Sequence, residues 1–330
     1  MKAMVIERFG PPEVFTPREV PDPEPGPGQV RVRVRATSLN PVDTKIRRGD
    51  VPVGPDFPAI LHGDVAGVVD RVGAGVTTFR EGDAVYGCAG GVKGLPGALA
   101  EYMLADARLL APAPRSLPLE EAAALPLVSI TAWEALVDKL GVHAGMRLLI
   151  HGGTGGVGHI GVQLARDAGA RVAVTVGSAR KAEVAQSLGA EDTILYPEES
   201  VAAYVDRLTD GRGFDAVFDT VGKQVLADSI TAAALYGQVV TISGRSTLDI
   251  RPAFAKQLSL HTVFMLIPML HDVRREHHGE ILRAIASRVD AGRLRPLLDE
   301  ARFGFTEVAA AHARMESRAH LGKIVLVNDL

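Results

Sequence analysis

A single cysteine in 330 residues is the first informative scarcity. One thiol forms no internal disulfide and builds no Cys-rich zinc module, and it gives no sign of an oxidising compartment. An excess of charge is also missing. Lys and Arg number 36 against 39 Asp and Glu, a formal balance of −3, which leaves no overall basic footprint for nucleic acid or an anionic membrane. No apolar run approaches the roughly 20 residues of a bilayer span. The stretch 148–165 is free of Asp, Glu, Lys and Arg, but glycine and polar groups crowd it. The segment 1–8 lacks the apolar core of a signal peptide, so a cytoplasmic protein is expected. Gly and Pro, 35 and 20, stay below low-complexity levels. What is present is a chain long enough for two domains with proper cores.

The first third reads as β structure. Val30, Val32, Val34 and Ala36 alternate with Arg31, Arg33 and Arg35, the period of a strand with one wet face. The Pro- and Gly-rich stretch 21–28 ahead of it is a surface loop, because Pro lacks the N–H that a sheet interior needs. Further strands are expected at 64–72, 83–88, 98–104 and 108–110. From 119 the pattern turns helical, interrupted at Pro126, and then alternates. Strands are expected at 147–151, 171–176, 216–219 and 238–243, with helices at 157–168, 179–188, 201–208 and 225–235. Repeated β-α-β units imply a parallel sheet covered on both faces. A helix at 277–290 and a strand at 323–327 follow. His277 and His278 suit a polar helix face. The organisation is a barrel-like first domain, an inserted doubly wound domain and a C-terminal return to the first.

Gly153, Gly155 and Gly158 satisfy G-x-G-x-x-G directly after an apolar strand and at the opening of a helix, the context that a dinucleotide site requires. Gly153 is assigned the tight turn, Gly155 the approach of a pyrophosphate, and Gly158 the close packing of helix on strand. The helix N-terminus supplies N–H groups and positive potential to phosphates. Sites for NAD place an acid at the end of the next strand. Here strand 171–176 runs into Gly177-Ser178-Ala179-Arg180-Lys181 with no acid, which favours NADPH.

In order and spacing, Met1-Lys2-Ala3, Asn40-Pro41-Val42-Asp43, Gly63-Asp64-Val65-Ala66-Gly67, Thr131-Ala132-Trp133, the glycine loop, Phe218-Asp219-Thr220-Val221-Gly222 and Gly322-Lys323-Ile324-Val325-Leu326 together resemble the zinc-independent medium-chain dehydrogenases/reductases, in their quinone oxidoreductase (zeta-crystallin-like) branch. The resemblance covers essentially the full length. It implies an α/β protein with a GroES-like β-barrel catalytic domain at 1–120, completed by 268–330, and a Rossmann doubly wound parallel-sheet domain at 121–267 that binds NADPH.

It also implies roles. Thr154, Gly156 and Val157 join the glycines around the cofactor, Gly177, Ser178 and Lys181 match the 2′-phosphate loop, and Tyr196 packs against the adenosine end. Thr220, Ile242, Ser243, Gly244, Phe264 and Leu266 line the ribose and nicotinamide, and Lys323 lies near the phosphates. Asn40 and Thr131 are the candidate catalytic residues.

Zinc-dependent cousins place a Cys where this chain has the Asn40 loop and Gly-His-Glu where it has His62-Gly63-Asp64. Cys88 alone supplies neither zinc site, so no metal is expected. The activity implied is NADPH-dependent reduction of a quinone or an activated C=C bond in a small-molecule electrophile. An enoyl-thioester reductase and a non-catalytic NADPH-binding protein are the alternatives. A homodimer is implied by the family.

Overall fold

The computed structural model describes residues 1–244 and 247–330. In chain order the elements begin β1 (Lys2–Ile6), β2 (Phe15–Glu19), β3 (Gln29–Leu39), α1 (Pro41–Arg48), β4 (Ala59–Ile60), β5 (Asp64–Val72), β6 (Ala84–Cys88), β7 (Tyr102–Asp106), β8 (Leu110–Pro112), α2 (Leu119–Ala122) and α3 (Pro126–Trp133). The middle of the chain forms β9 (Arg147–His151), α4 (Gly158–Asp167), β10 (Arg171–Val176), α5 (Ala179–Ser187), β11 (Asp192–Leu195), α6 (Val201–Thr209), β12 (Phe214–Asp219), α7 (Gln224–Ala232), β13 (Ala233–Thr241), α8 (Arg251–Ala255) and β14 (Ser259–Thr262). The last are α9 (Ile267–His271), α10 (Arg275–Asp290), β15 (Phe303–Gly304), α11 (Val308–Glu316) and β16 (Ile324–Val327).

Two compact units result: Met1–Ile130 with Leu266–Leu330, and Thr131–Met265. The first holds the chain beyond the boundary expected at 120/121 because α2 packs on β3, β5 and β16. The Leu127 N–H also donates to the Asp64 carboxylate at 2.8 Å.

In the first unit, β3 is central. A sheet runs β15-β16-β3-β5-β6-β8 with β7 also on β3, and a smaller one runs β2-β1-β4. Val30, Val32, Val34 and Ala36 are buried, as their period dictates. The expected wet face holds for Arg33 and Arg35 but not for Arg31, which is 5% exposed. Its Nε donates to Asp70 at 2.7 Å, and its guanidinium lies 4.8 Å from the Tyr102 ring centroid. Strand β7, paired along Gln29–Arg33, supplies that cover. The strand expected at 98–104 is shifted to β7. The one at 108–110 is a 3-10 turn, Ala107–Leu109, leading into β8. On α10, His278 is fully buried while His277 is half-buried, since neighbours on a helix point about 100° apart.

The second unit is a six-stranded sheet of order β11-β10-β9-β12-β13-β14, parallel throughout. Counted from β9 this is 3-2-1-4-5-6, the doubly wound Rossmann order. Leu148, Leu149 and Ile150 are all fully buried, as a strand covered on both faces requires. Helix α7 stops at Ala232, short of the expected 235. The Lys256 ammonium takes the carbonyls of Ile230, Thr231 and Ala233 at 3.1, 2.7 and 2.7 Å, satisfying helix-end acceptors and freeing the chain to enter β13. Among the described residues, no helix is long and apolar enough to cross a membrane.

Candidate active site

The glycine loop joins β9 to α4 at the carboxyl edge of the sheet, beside the reversal of strand order, where open α/β sheets bind ligands. Gly152 carries the left-handed backbone, at φ 74°, so the tight turn belongs to Gly152 and not to Gly153. Gly153 instead packs on β10: a Cβ there would fall 2.7 Å from the Val174 side chain. Gly158 has the expected role. Its Cβ would lie 2.1 Å from the Gly152 carbonyl oxygen, which only a bare α-carbon tolerates. Gly155 is exposed, and a Cβ on it would meet nothing closer than 3.2 Å. That leaves an open cradle over the first N–H groups of α4, where Thr154 is buried and Gly156 and Val157 are half-buried. The loop is tied down by Thr175, whose hydroxyl accepts from the Gly152 N–H at 3.2 Å and lies 3.1 Å from His151 Nδ1. Desolvation holds His151 down at about 4, so the ring is neutral.

Past β10, Gly177 lies under the Tyr196 ring. A Cβ on Gly177 would come within 2.9 Å of the tyrosine hydroxyl, while Tyr196 itself is 65% exposed. Ser178 is the N-cap of α5, accepting from the Lys181 N–H at 3.4 Å. Arg180 is exposed and Lys181 half-buried, and neither makes an ion pair among the described residues.

Asp219, fully buried at the end of β12, organises the third segment. Its Oδ1 accepts from the Val221 and Gly222 N–H groups at 2.9 and 2.7 Å, and its Oδ2 from the Thr241 hydroxyl at 2.8 Å. Thr220 donates to the His151 carbonyl at 2.6 Å, which joins this segment to the glycine loop. Ile242 donates to the Asp219 carbonyl, and Ser243 to the Thr241 hydroxyl. A Cβ on Gly244 would meet nothing within 4 Å. Phe264 is half exposed and Thr131 is buried in this unit, whereas Leu266 is buried in the first. Thr175 escaped the sequence reading, and Asp219 entered it only within Phe218-Asp219-Thr220-Val221-Gly222, without a role of its own; the further signal was their place near strand ends.

The first unit holds a buried polar cluster around Asn40, the N-cap of α1 and 1% exposed. Asn40 Nδ2 donates to Asp64 Oδ2 at 2.8 Å, and Asn40 Oδ1 accepts from Lys323 Nζ at 2.5 Å. The same ammonium reaches the Leu39 carbonyl at 3.0 Å and stands 3.6 Å from Asp64 Oδ2. Ser38 Oγ also donates to Asp64 Oδ2, at 2.6 Å, and Asp43 accepts from the Asn40 N–H at 2.8 Å. Desolvation and the neighbouring Asp64 charge raise Asp43 to about 7. Desolvation lowers Lys323 against the pull of the two carboxylates. Lys323, expected at the phosphates, is thus 2% exposed and engaged with Asn40.

Cys88 pairs with Asp64 across β5 and β6, and burial pushes its thiol well up. His62 does not join Asp64 and Cys88; its Nε2 stands 3.0 Å from His312 Nε2. Among the described residues, no three His, Cys, Asp or Glu side chains gather closely enough to hold a metal ion.

Comparison with known proteins agrees with this geometry. Residues 26–115 match the alcohol dehydrogenase GroES-like domain, and residues 188–326 match the zinc-binding dehydrogenase family. The chain is 34% identical to the 2-methylene-furan-3-one reductase of Solanum lycopersicum, over 88% of this chain and 69% of that one. It superposes on an alcohol dehydrogenase superfamily protein from Novosphingobium aromaticivorans with a TM-score of 0.95 and 40% identity, covering 99% of both chains. The Escherichia coli quinone oxidoreductase complexed with NADPH superposes with a TM-score of 0.88 at 28% identity, over 99% of this chain and 100% of that one. Fold and relatives define an oxidoreductase. The chain belongs to the medium-chain dehydrogenase/reductase family, in its quinone oxidoreductase branch.

Proposed function

We propose that this protein is an NADPH-dependent, zinc-independent reductase of quinones or of the activated C=C bonds of α,β-unsaturated carbonyl compounds. The observation that carries the choice of cofactor is the end of β10. There the chain passes Gly177 and Ser178 without a carboxylate and presents Arg180 and Lys181 without ion-pair partners among the described residues. A carboxylate would repel a 2′-phosphate, whereas two cations and a serine hydroxyl attract one. The residues fit the group. The open cradle at Gly155, Gly156 and Val157 accommodates a pyrophosphate, Gly177 and Tyr196 form a flat shelf for the adenosine end, and Thr220 with Ile242, Ser243, Gly244, Phe264 and Leu266 serve the ribose and nicotinamide.

When bound, NADPH supplies the hydride. The chain's own work is to position the acceptor and to donate hydrogen bonds to the carbonyl oxygen as negative charge builds there. Asn40 Nδ2 and the Thr131 hydroxyl are the donors in this reading, and water supplies the proton. Their polarisation of the carbonyl replaces a metal's.

An NADPH-oxidation assay over naphthoquinones, enals and enoyl-CoA thioesters tests the reading. Turnover of a quinone or an enal supports it, and no turnover on any of the three overturns it. Preference for the thioesters would make it an enoyl-thioester reductase, and tight NADPH binding without turnover a carrier or sensor.

We place the protein in the cytoplasm, acting on a small molecule, as a homodimer. Among the described residues strand β14 is an open edge of the parallel sheet, with Leu260 on it 43% exposed, Leu235 and Tyr236 exposed on the neighbouring β13, and Phe254 exposed on α8. Unpaired edges call for a partner or a cover, and sedimentation gives the oligomeric state.

A further inference from the structure

Asn40, Asp64 and Lys323 close a ring inside the first unit. Lys323 Nζ meets Asn40 Oδ1, Asn40 Nδ2 meets Asp64 Oδ2, and Asp64 Oδ2 stands 3.6 Å from Lys323 Nζ. The three side chains are 1%, 0% and 2% exposed. An asparagine amide can ordinarily turn end for end, since its O and N differ little in shape. Here it cannot. An ammonium carries only hydrogens to donate, so the amide atom facing Lys323 has to be the oxygen, and the NH2 group is forced toward Asp64. A cation on the oxygen and a carboxylate at the nitrogen also polarise the amide in the same sense.

Asp64 is held in turn by Ser38 Oγ at 2.6 Å and by the Leu127 N–H at 2.8 Å, so the anchor is rigid. Lys323 is steadied by the Leu39 carbonyl at 3.0 Å. Asp64 takes one of the two Nδ2 hydrogens, which leaves the second with a direction fixed by the ring.

We propose that Lys323 and Asp64 are positioning residues, which lock the Asn40 side-chain amide in the one orientation that offers its second Nδ2 hydrogen to the acceptor's carbonyl oxygen. The inference rests on the functional reading above for the identity of the acceptor, but the lock itself is a property of the first unit alone. It also gives Lys323 a different task from binding phosphate: its loss acts on the chemical step and leaves cofactor affinity in place.

The test exploits composition. The chain contains two asparagines, Asn40 and Asn328. Selective 15N-Asn labelling therefore yields two side-chain NH2 pairs, and Asn328, which donates to the Val34 and Ala100 carbonyls, is the internal reference. In the wild-type protein the lock requires two resolved, slowly exchanging Asn40 protons; fast exchange or free rotation overturns the proposal with no variant needed.

Removing one member of a buried charge pair strands the other, so the kinetic variant is Asp64→Leu with Lys323→Met, which adds no third asparagine. The expected result is kcat lower by about 10-fold or more, a share of the loss seen when one preorganised donor is deleted. NADPH affinity, read by fluorescence, stays within about 2-fold, and the Asn40 protons lose their protection. Lys323→Arg, which keeps the donor and the charge, restores part of kcat. Unchanged kcat, or weakened NADPH binding with kcat preserved, overturns the proposal, and the second outcome returns Lys323 to the phosphates. If the wild-type protein reduces no acceptor, the functional reading fails on its own. The labelled-asparagine experiment then decides the lock.

Discussion

His62 and His312 meet through their Nε2 atoms, 3.0 Å apart, with both rings fully buried. A hydrogen bond between two imidazoles requires one ring to donate and the other to accept, so the accepting ring is unprotonated at Nε2, and burial keeps the donating ring neutral as well. Burial holds His62 at about 3 and His312 well below the ordinary value, with His62 and the Arg47 charge adding to the second shift. In the unfolded chain both titrate at the ordinary 6.5. Below that pH the unfolded state binds the extra protons. The stability the pair contributes is therefore complete above pH 6.5 and is lost as pH falls toward about 3.

Asp43, raised to about 7, works in the opposite sense over part of this range, so a difference between proteins is the quantity to read. His312→Leu leaves the buried His62 ring without its partner, at a cost of about 1–3 kcal/mol at pH 7.5. Denaturant titrations at pH 7.5 and 5 should show that gap narrowing at the lower pH. A gap that is equal at both would remove the pair from the pH response.

Two loop glycines separate folding from binding. Gly158→Ala drives a Cβ to 2.1 Å from a backbone oxygen, and the backbone has to shift, at about 1–3 kcal/mol. Gly155→Ala meets nothing closer than 3.2 Å and costs little stability, yet it fills the cradle. Thermal unfolding should mark the first variant, and loss of NADPH binding without a large change in Tm the second.

Gly177→Ala pushes against the Tyr196 hydroxyl, which lies 2.9 Å from the new Cβ. The exposed ring can swing away, so the fold persists while the shelf is lost. NADPH affinity is expected to fall about 10-fold, roughly 1.4 kcal/mol, with Tm nearly unchanged. Equilibrium binding measures it, and affinity equal to wild type would separate Tyr196 from the cofactor.

Arg180→Ala with Lys181→Ala removes the two cations beside Ser178. Hydrogen bonds to charged groups contribute about 1.5–3 kcal/mol, so the ratio of kcat/KM for NADPH over NADH should fall by about 10-fold to 100-fold. A constant ratio would assign both residues to the solvated face of α5 alone.

Much of the architecture is written locally. Strands 64–72, 147–151 and 171–176 coincide with β5, β9 and β10, because apolar runs bounded by Gly and Pro carry their own limits. Errors arose where distant partners decide. Arg31 looks solvent-facing until β7 and Asp70 cover it. Helix α7 looks longer until Lys256, 26 residues beyond Ile230, closes its end. The strands β11 and β14 are short and half exposed, and neither has a periodic signal of its own.

The same division runs through the site. Glycine spacing, the missing acid after β10 and the lone cysteine are composition and order, so the sequence alone determined a glycine loop in the context of a dinucleotide site, the absence of a carboxylate after β10 and the poverty of zinc ligands. Tertiary structure decided the rest. It moved the tight turn from Gly153 to Gly152, because only backbone closure reveals which residue takes a positive φ. It brought Lys323 to Asn40 across 283 positions. No spacing rule foresees that contact, because β16 returns to pair with β3 only when the sheet forms. Residues that bind through their own backbone are legible in order. Residues that act by charge on a distant neighbour become legible only in the fold.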